Sequence, residues 1–161
     1  GTLKGLKIAY VGDGNNVANS LLHGCAKLGV NLSIASPKGY ECDQGIIDEA
    51  LSDAKKSGAK IVLTEDLIEA VKDADAVYTD TWVSMGQENE KEQRIKTFMP
   101  YQVNADLFSK AKEDAIFLHC LPAYRGYEVT SEVIDGPRSV VFDEAENRLH
   151  VQKAIMALLM K

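Results

Sequence analysis

KIAYVGDGNNVANSLLHGCAKLG, residues 7–29, begins as an apolar run, turns through two glycines and continues with apolar residues at helical spacing. Residues 7–11, apolar from Ile8 to Val11, read as a buried strand, and residues 15–28 read as a helix stopped by Gly29. A strand that enters a helix through Gly12-Asp13-Gly14 is the opening unit of a doubly wound α/β fold. The unit recurs along the chain. Residues 31–35 form a strand closed by Pro37 and Gly39, and residues 44–56 a helix with Ile47, Ala50, Leu51 and Ala54 on one face. Residues 60–63, 76–79 and 115–118 supply three further strands. Between them lie a helix capped by Thr64 or Asp66 that runs to Val71, and a helix over 105–112. Residues 83–102 make a long polar loop with one short charged helix, 139–142 a short extended segment, and a last helix starts near Asp143 or Glu144. The alternation predicts a three-layer, Rossmann-like α/β domain with a central parallel sheet and helices on both faces.

The 161 residues fit one domain over 1–161 and can bury a core. A net charge of -6 argues against general nucleic-acid binding. No apolar run approaches the roughly 20 residues that span a bilayer, so no membrane partner is expected. Three cysteines without paired spacing point to a reducing compartment, with the cytoplasm as the default. The start at Gly1 and the uncapped apolar end at Met160-Lys161 suggest a domain excised from a longer protein. In the last helix Val151, Ala154, Ile155, Leu158 and Leu159 form an apolar stripe, expected to end in a frayed turn or to join copies of the chain.

In an open parallel sheet, ligands sit beyond the carboxyl ends of the strands. Four polar clusters fall there: Gly12 to Asn16, Asp80 to Gly86, His119 to Pro122, and Glu144 to Arg148. The first begins like a dinucleotide fingerprint, but Val17 replaces the third glycine and Ser36-Pro37 offers no carboxylate for a ribose, which disfavours NAD. Asn15 either caps the helix or, with Asn16, faces an anionic group at its N-terminus. Asp80 to Gly86 combines a carboxylate, hydroxyls and backbone amides, a set that can hold the zwitterionic end of an amino acid. Cys120 ends a strand at this rim, whereas Cys25 and Cys42 have the setting of inert core thiols. His23, His119 and His150 lack metal-ligand spacing, so no metal is expected. Arg148 can pair with the acidic run before it or bind a carbamoyl or phosphate oxygen.

Five strings occur in order along the chain: Gly12-Asp13-Gly14-Asn15-Asn16-Val17, Ser36-Pro37-Lys38-Gly39-Tyr40, Asp80-Thr81-Trp82-Val83-Ser84-Met85-Gly86-Gln87-Glu88, His119-Cys120-Leu121-Pro122 and Phe142-Asp143-Glu144-Ala145-Glu146-Asn147-Arg148. Together they resemble the ornithine carbamoyltransferase family over essentially the whole chain. The resemblance implies the C-terminal, amino-acid-binding domain of an enzyme that makes L-citrulline and phosphate from L-ornithine and carbamoyl phosphate. It implies that Asn16, Asp80, Ser84 and Met85 bind ornithine, and that Cys120, Leu121 through its carbonyl, and Arg148 meet the carbamoyl group. Cys120 and Asp80 are then the catalytic pair, as thiolate or carboxylate orienting the amine. No metal or organic cofactor is implied. The partners implied are a preceding carbamoyl-phosphate domain, whose Ser-Thr-Arg-Thr-Arg loop does not occur in these residues, and sister subunits in a trimer or larger assembly. The alternatives are a non-catalytic amino-acid-binding module and a putrescine carbamoyltransferase, the latter disfavoured by Ser84-Met85-Gly86.

Overall fold

The computed structural model describes residues 2–83, 86 and 88–160. Five strands, β1 (Lys7–Val11), β2 (Asn31–Ala35), β3 (Ile61–Thr64), β4 (Ala76–Thr79) and β5 (Ile116–His119), form one sheet in the order β3-β2-β1-β4-β5. Every pairing is parallel. The helices are α1 (Asn16–Leu28), α2 (Gln44–Ser57), α3 (Leu67–Val71), α4 (Lys91–Phe98), α5 (Ala105–Phe108), α6 (Ser131–Ile134) and α7 (Val141–Leu159). This is the expected Rossmann-like architecture.

Strand alternation divides the core in two. Tyr10, Leu32, Ile34 and Tyr78 pack on one face against Ala18 and Leu22 of α1 and Ile47 and Ala50 of α2. Ala9, Val11, Val77 and Phe117 pack on the other against Val71, Leu107, Phe108, Val133, Ile134 and Val141. Helix ends are set by local chemistry. Asn15, Asp43, Asp66 and Asn104 each accept backbone N–H groups of the first turn, worth about 1 kcal/mol apiece. Gly29 and Gly58 take the left-handed conformation that ends α1 and α2.

Several elements differ from the sequence reading. The helix expected over 105–112 ends at Phe108, because Lys110 and Ala111 turn back in three-residue bonds and Lys112 N–H donates to the Ala74 carbonyl just before β4. The extended segment expected over 139–142 shrinks to one bridge, Ser139 to Phe117. Burial of Val141 against the sheet starts α7 there, two residues before Asp143. The four-residue α6 is too short to show a helical period in sequence.

Helix α7 stays helical through Leu159, so the expected frayed end is not seen, and its apolar stripe is uncovered. Leu158 and Leu159 are 71% and 78% exposed, and Val151 and Ile155 are also exposed. Among the described residues no helix is long and apolar enough to cross a membrane.

The loop after β1 owes its course to Gly14. Its N–H donates to the Tyr40 carbonyl at 2.8 Å. A Cβ there would stand 2.3 Å from the Cys42 nitrogen and the Glu41 carbonyl carbon, both backbone atoms. Gly14→Ala is therefore expected to cost about 3 kcal/mol in urea unfolding, since neither loop can yield by a side-chain rotation alone. A loss below about 0.5 kcal/mol would show that the two loops are not locked together.

Candidate active site

Chain order reverses between β1 and β4, so the strands part at their carboxyl ends and open the crevice in which such sheets hold ligands. Thr79, fully buried, closes the floor by donating its hydroxyl to the Val11 carbonyl at 2.6 Å. The next residue, Asp80, is buried at the centre of the rim. Its Oδ1 accepts the Thr81 N–H at 2.7 Å and the Cys120 thiol at 3.1 Å. Its Oδ2 accepts the Asn15 side-chain amide at 2.7 Å. The same Asn15 caps α1 through Oδ1, which fixes its amide toward Asp80. Asn15 thus caps α1 and at the same time orients the Asp80 carboxylate.

Burial and the adjacent Asp80 push the Cys120 thiol up to about 12. At neutral pH Cys120 is therefore a protonated donor, not the thiolate the sequence allowed. Iodoacetamide should modify it about a thousandfold more slowly at pH 8 than the same cysteine in the unfolded chain. The folded pKa of Cys120 lies above its unfolded one, so the protonated thiol contributes stability that is whole below about pH 8.5 and is lost as pH rises toward 12. A native rate within tenfold of the unfolded rate would refute the buried-thiol assignment. Cys25 and Cys42, buried core thiols as expected, are raised to about 11 by burial.

Cys120 opens a turn built on a buried pair. His119 and Glu128, 0% and 1% exposed, meet at 3.1 Å through Nε2 and Oε1. The other imidazole nitrogen, Nδ1, accepts the Leu121 N–H at 2.9 Å, so the ring proton sits on Nε2. Glu128 also accepts the Tyr124 N–H at 2.6 Å. Leu121 takes the left-handed region, φ 54°, before a cis bond to Pro122. Behind Cys120, Glu144 of α7 accepts the Tyr78 hydroxyl at 2.7 Å and the His119 N–H at 3.0 Å. The Tyr78 hydroxyl is raised beyond its usual range, first by burial and then by its bond to Glu144.

Arg94 of α4 closes the opposite side. It is 4% exposed, donates from Nε to the Trp82 carbonyl at 2.6 Å and pairs through Nη2 with Asp13. Its guanidinium lies 4.9 Å from the Tyr40 ring centre and 5.3 Å from that of Phe98. One side chain thereby joins the loops that follow β1, β2 and β4. Burial raises the Asp13 carboxyl, and Arg94 opposes that rise.

The structure thus brings Asp80 and Cys120 into contact, with Leu121 adjacent. Asn16 opens α1 with its side chain exposed. Arg148 is exposed on α7, one turn past Glu144, and forms no ion pair with the acidic run among the described residues. Ser84 and Met85 lie outside the described residues. Sequence spacing gave no metal set, yet donor atoms of Asp80, His119 and Cys120 fall within 4.8 Å of one another. Each already serves a protein hydrogen bond, both His119 nitrogens included. The roles of Arg94, Asp13, Tyr78 and Glu128 carried no signal in the sequence, because their partners lie on other elements of the fold.

Residues 4–159 match the family model described as aspartate/ornithine carbamoyltransferase, Asp/Orn binding domain. The chain is 65% identical over 159 residues to an ornithine carbamoyltransferase of Caldicellulosiruptor saccharolyticus, and 60% identical over 164 residues to that of Bacillus subtilis. Each match covers 99% of this chain but only 52% and 50% of the relative. The solved ornithine carbamoyltransferase from Pyrococcus furiosus superposes with a TM-score of 0.94 at 57% identity, over 99% of this chain and 51% of that one. The chain spans about half the length of the proteins it matches. With the match running from end to end of the described fold, the chain belongs to the aspartate/ornithine carbamoyltransferase family, in the part that family's model describes as the Asp/Orn binding domain.

Proposed function

We propose that this chain is the ornithine-binding half of a cytoplasmic ornithine carbamoyltransferase, completed by a carbamoyl-phosphate domain and assembled as a trimer or larger. The observation that carries the reading is the buried Asp80 carboxylate at the β1/β4 crevice, with Asn15 and Cys120 fixing its orientation. Full-length relatives that bear the name, and of which this chain matches half, support it.

In this reading Asp80 receives the side-chain ammonium of ornithine, while Asn16, Ser84 and Met85 hold its α-amino-acid end. The amine has a pKa of about 10.4 and must lose a proton before it can attack. Desolvation in a closed crevice lowers that pKa. The neutral nitrogen then adds to the carbamoyl carbon, the bond from that carbon to the phosphate oxygen breaks, and phosphate leaves with the electron pair. The amine's proton passes to phosphate or solvent. Cys120, itself protonated, acts as a donor and not as the base. Arg148 and the Leu121 carbonyl engage the carbamoyl group, where a guanidinium stabilises charge growing on oxygen.

The isolated chain is expected to form no citrulline, since it lacks the cationic loop that would seat and activate the phosphate. Calorimetry should still show it binding ornithine in preference to putrescine, which lacks the α-carboxylate. Turnover by the isolated chain at the rate of a complete enzyme, or equal affinity for the two amines, would overturn the assignment.

A further inference from the structure

After Val141, the only buried residue of α7, the helix leaves the sheet and residues 149–160 are exposed. Its direction is therefore set in the first turn. Two ties act there: the Val140 N–H bond to the Phe117 carbonyl at 3.0 Å, and the carboxylate of Glu144. Glu144 grips two strand ends at once, the Tyr78 hydroxyl of β4 at 2.7 Å and the His119 N–H of β5 at 3.0 Å. It is the last side chain of α7 hydrogen-bonded to the sheet among the described residues. Arg148 follows one turn later, about 6 Å along the axis, with no ion pair among the described residues.

We propose that Tyr78 and Glu144 are positioning residues for the carbamoyl-phosphate side of the site, acting by fixing the course of α7 and so the place of the Arg148 guanidinium. This rests on the functional reading above, in which Arg148 engages the carbamoyl group. Among the described residues neither side chain bonds Asp80, Asn15 or Arg94 directly; the pair reaches that side only through Cys120, whose thiol lies against the Tyr78 hydroxyl and donates to Asp80. Each partner has a different part. Tyr78 is a rigid hydroxyl donor rooted in a central strand and buried, so it cannot follow the helix. Glu144 supplies both acceptor oxygens, and a glutamine would present one donor group to two donors.

The test uses the complete two-domain protein that carries this chain. Tyr78→Phe and Glu144→Gln are each expected to raise KM for carbamoyl phosphate about tenfold while KM for ornithine moves less than twofold. Arg148→Lys is the reference variant. In an Arg148→Lys background, both substitutions should lose most of their effect, because what they position is gone. Additive effects, or a matching rise in KM for ornithine, would overturn the inference while leaving the assigned reaction intact. If Arg148→Lys itself leaves KM for carbamoyl phosphate unchanged, the role of Arg148 falls, and this inference with it.

Discussion

Arg94→Met is expected to lower the unfolding free energy by about 3–5 kcal/mol, the usual cost of removing one partner from a buried ion pair. Methionine keeps much of the packing against Tyr40 and Phe98, so the loss isolates the charge. Two groups lose their guanidinium partner: the Trp82 carbonyl and, at greater cost, the Asp13 carboxylate, which among the described residues keeps only a backbone hydrogen bond from Gly14. The pH dependence identifies the cause. Burial already raises the Asp13 carboxyl, and Arg94 is what holds the rise in check. Without Arg94 its folded pKa climbs further above the unfolded one. Stability is then highest at acid pH and falls as pH rises through the folded value. Urea unfolding should therefore show a larger penalty at pH 8 than at pH 5, and adding Asp13→Asn should recover part of it. A penalty under 1 kcal/mol, or one independent of pH, would show that the pair is solvated and dispensable.

The second large effect is functional. In the complete protein, Asp80→Asn is expected to lower kcat/KM for ornithine more than a hundredfold, about 3 kcal/mol. An amide cannot neutralise an ammonium, and it brings a donor group into a site that already supplies three donors, from Thr81, Cys120 and Asn15. A urea midpoint near that of the parent would separate this loss from misfolding. Retention of a tenth or more of the activity would move the ammonium site away from Asp80.

Much of this was legible in the chain itself. Strands β1, β2 and β4 announce themselves as short apolar runs ended by glycine, proline or aspartate, and their parallel order follows from the helices between them. Parallel order alone then carries Asp80 and Cys120, forty residues apart, to one rim. What could not be read is whatever depends on side chains that meet across loops. Asp13 and Arg94 are 81 positions apart, and an arginine in the string KEQRIKTF looks like one more solvated cation. The ionisation of Cys120 is equally invisible, because it follows from burial beside Asp80 and not from neighbours in sequence. Helix α5 is shorter than its sequence suggests for a related reason: the chain after it bonds to the Ala74 carbonyl just before β4, where local propensity alone would continue the helix.

Position 15 has a consequence for how such a chain can change over generations. Its side chain must accept two backbone N–H groups of α1 on one atom and donate to Asp80 from another. Aspartate would keep the cap and set two carboxylates against each other. Serine or threonine would keep the cap and lose the reach and the amide. No single substitution satisfies both demands, so Asn15 and Asp80 can drift only together, and the ancestry of the site is tied to the ancestry of its first helix.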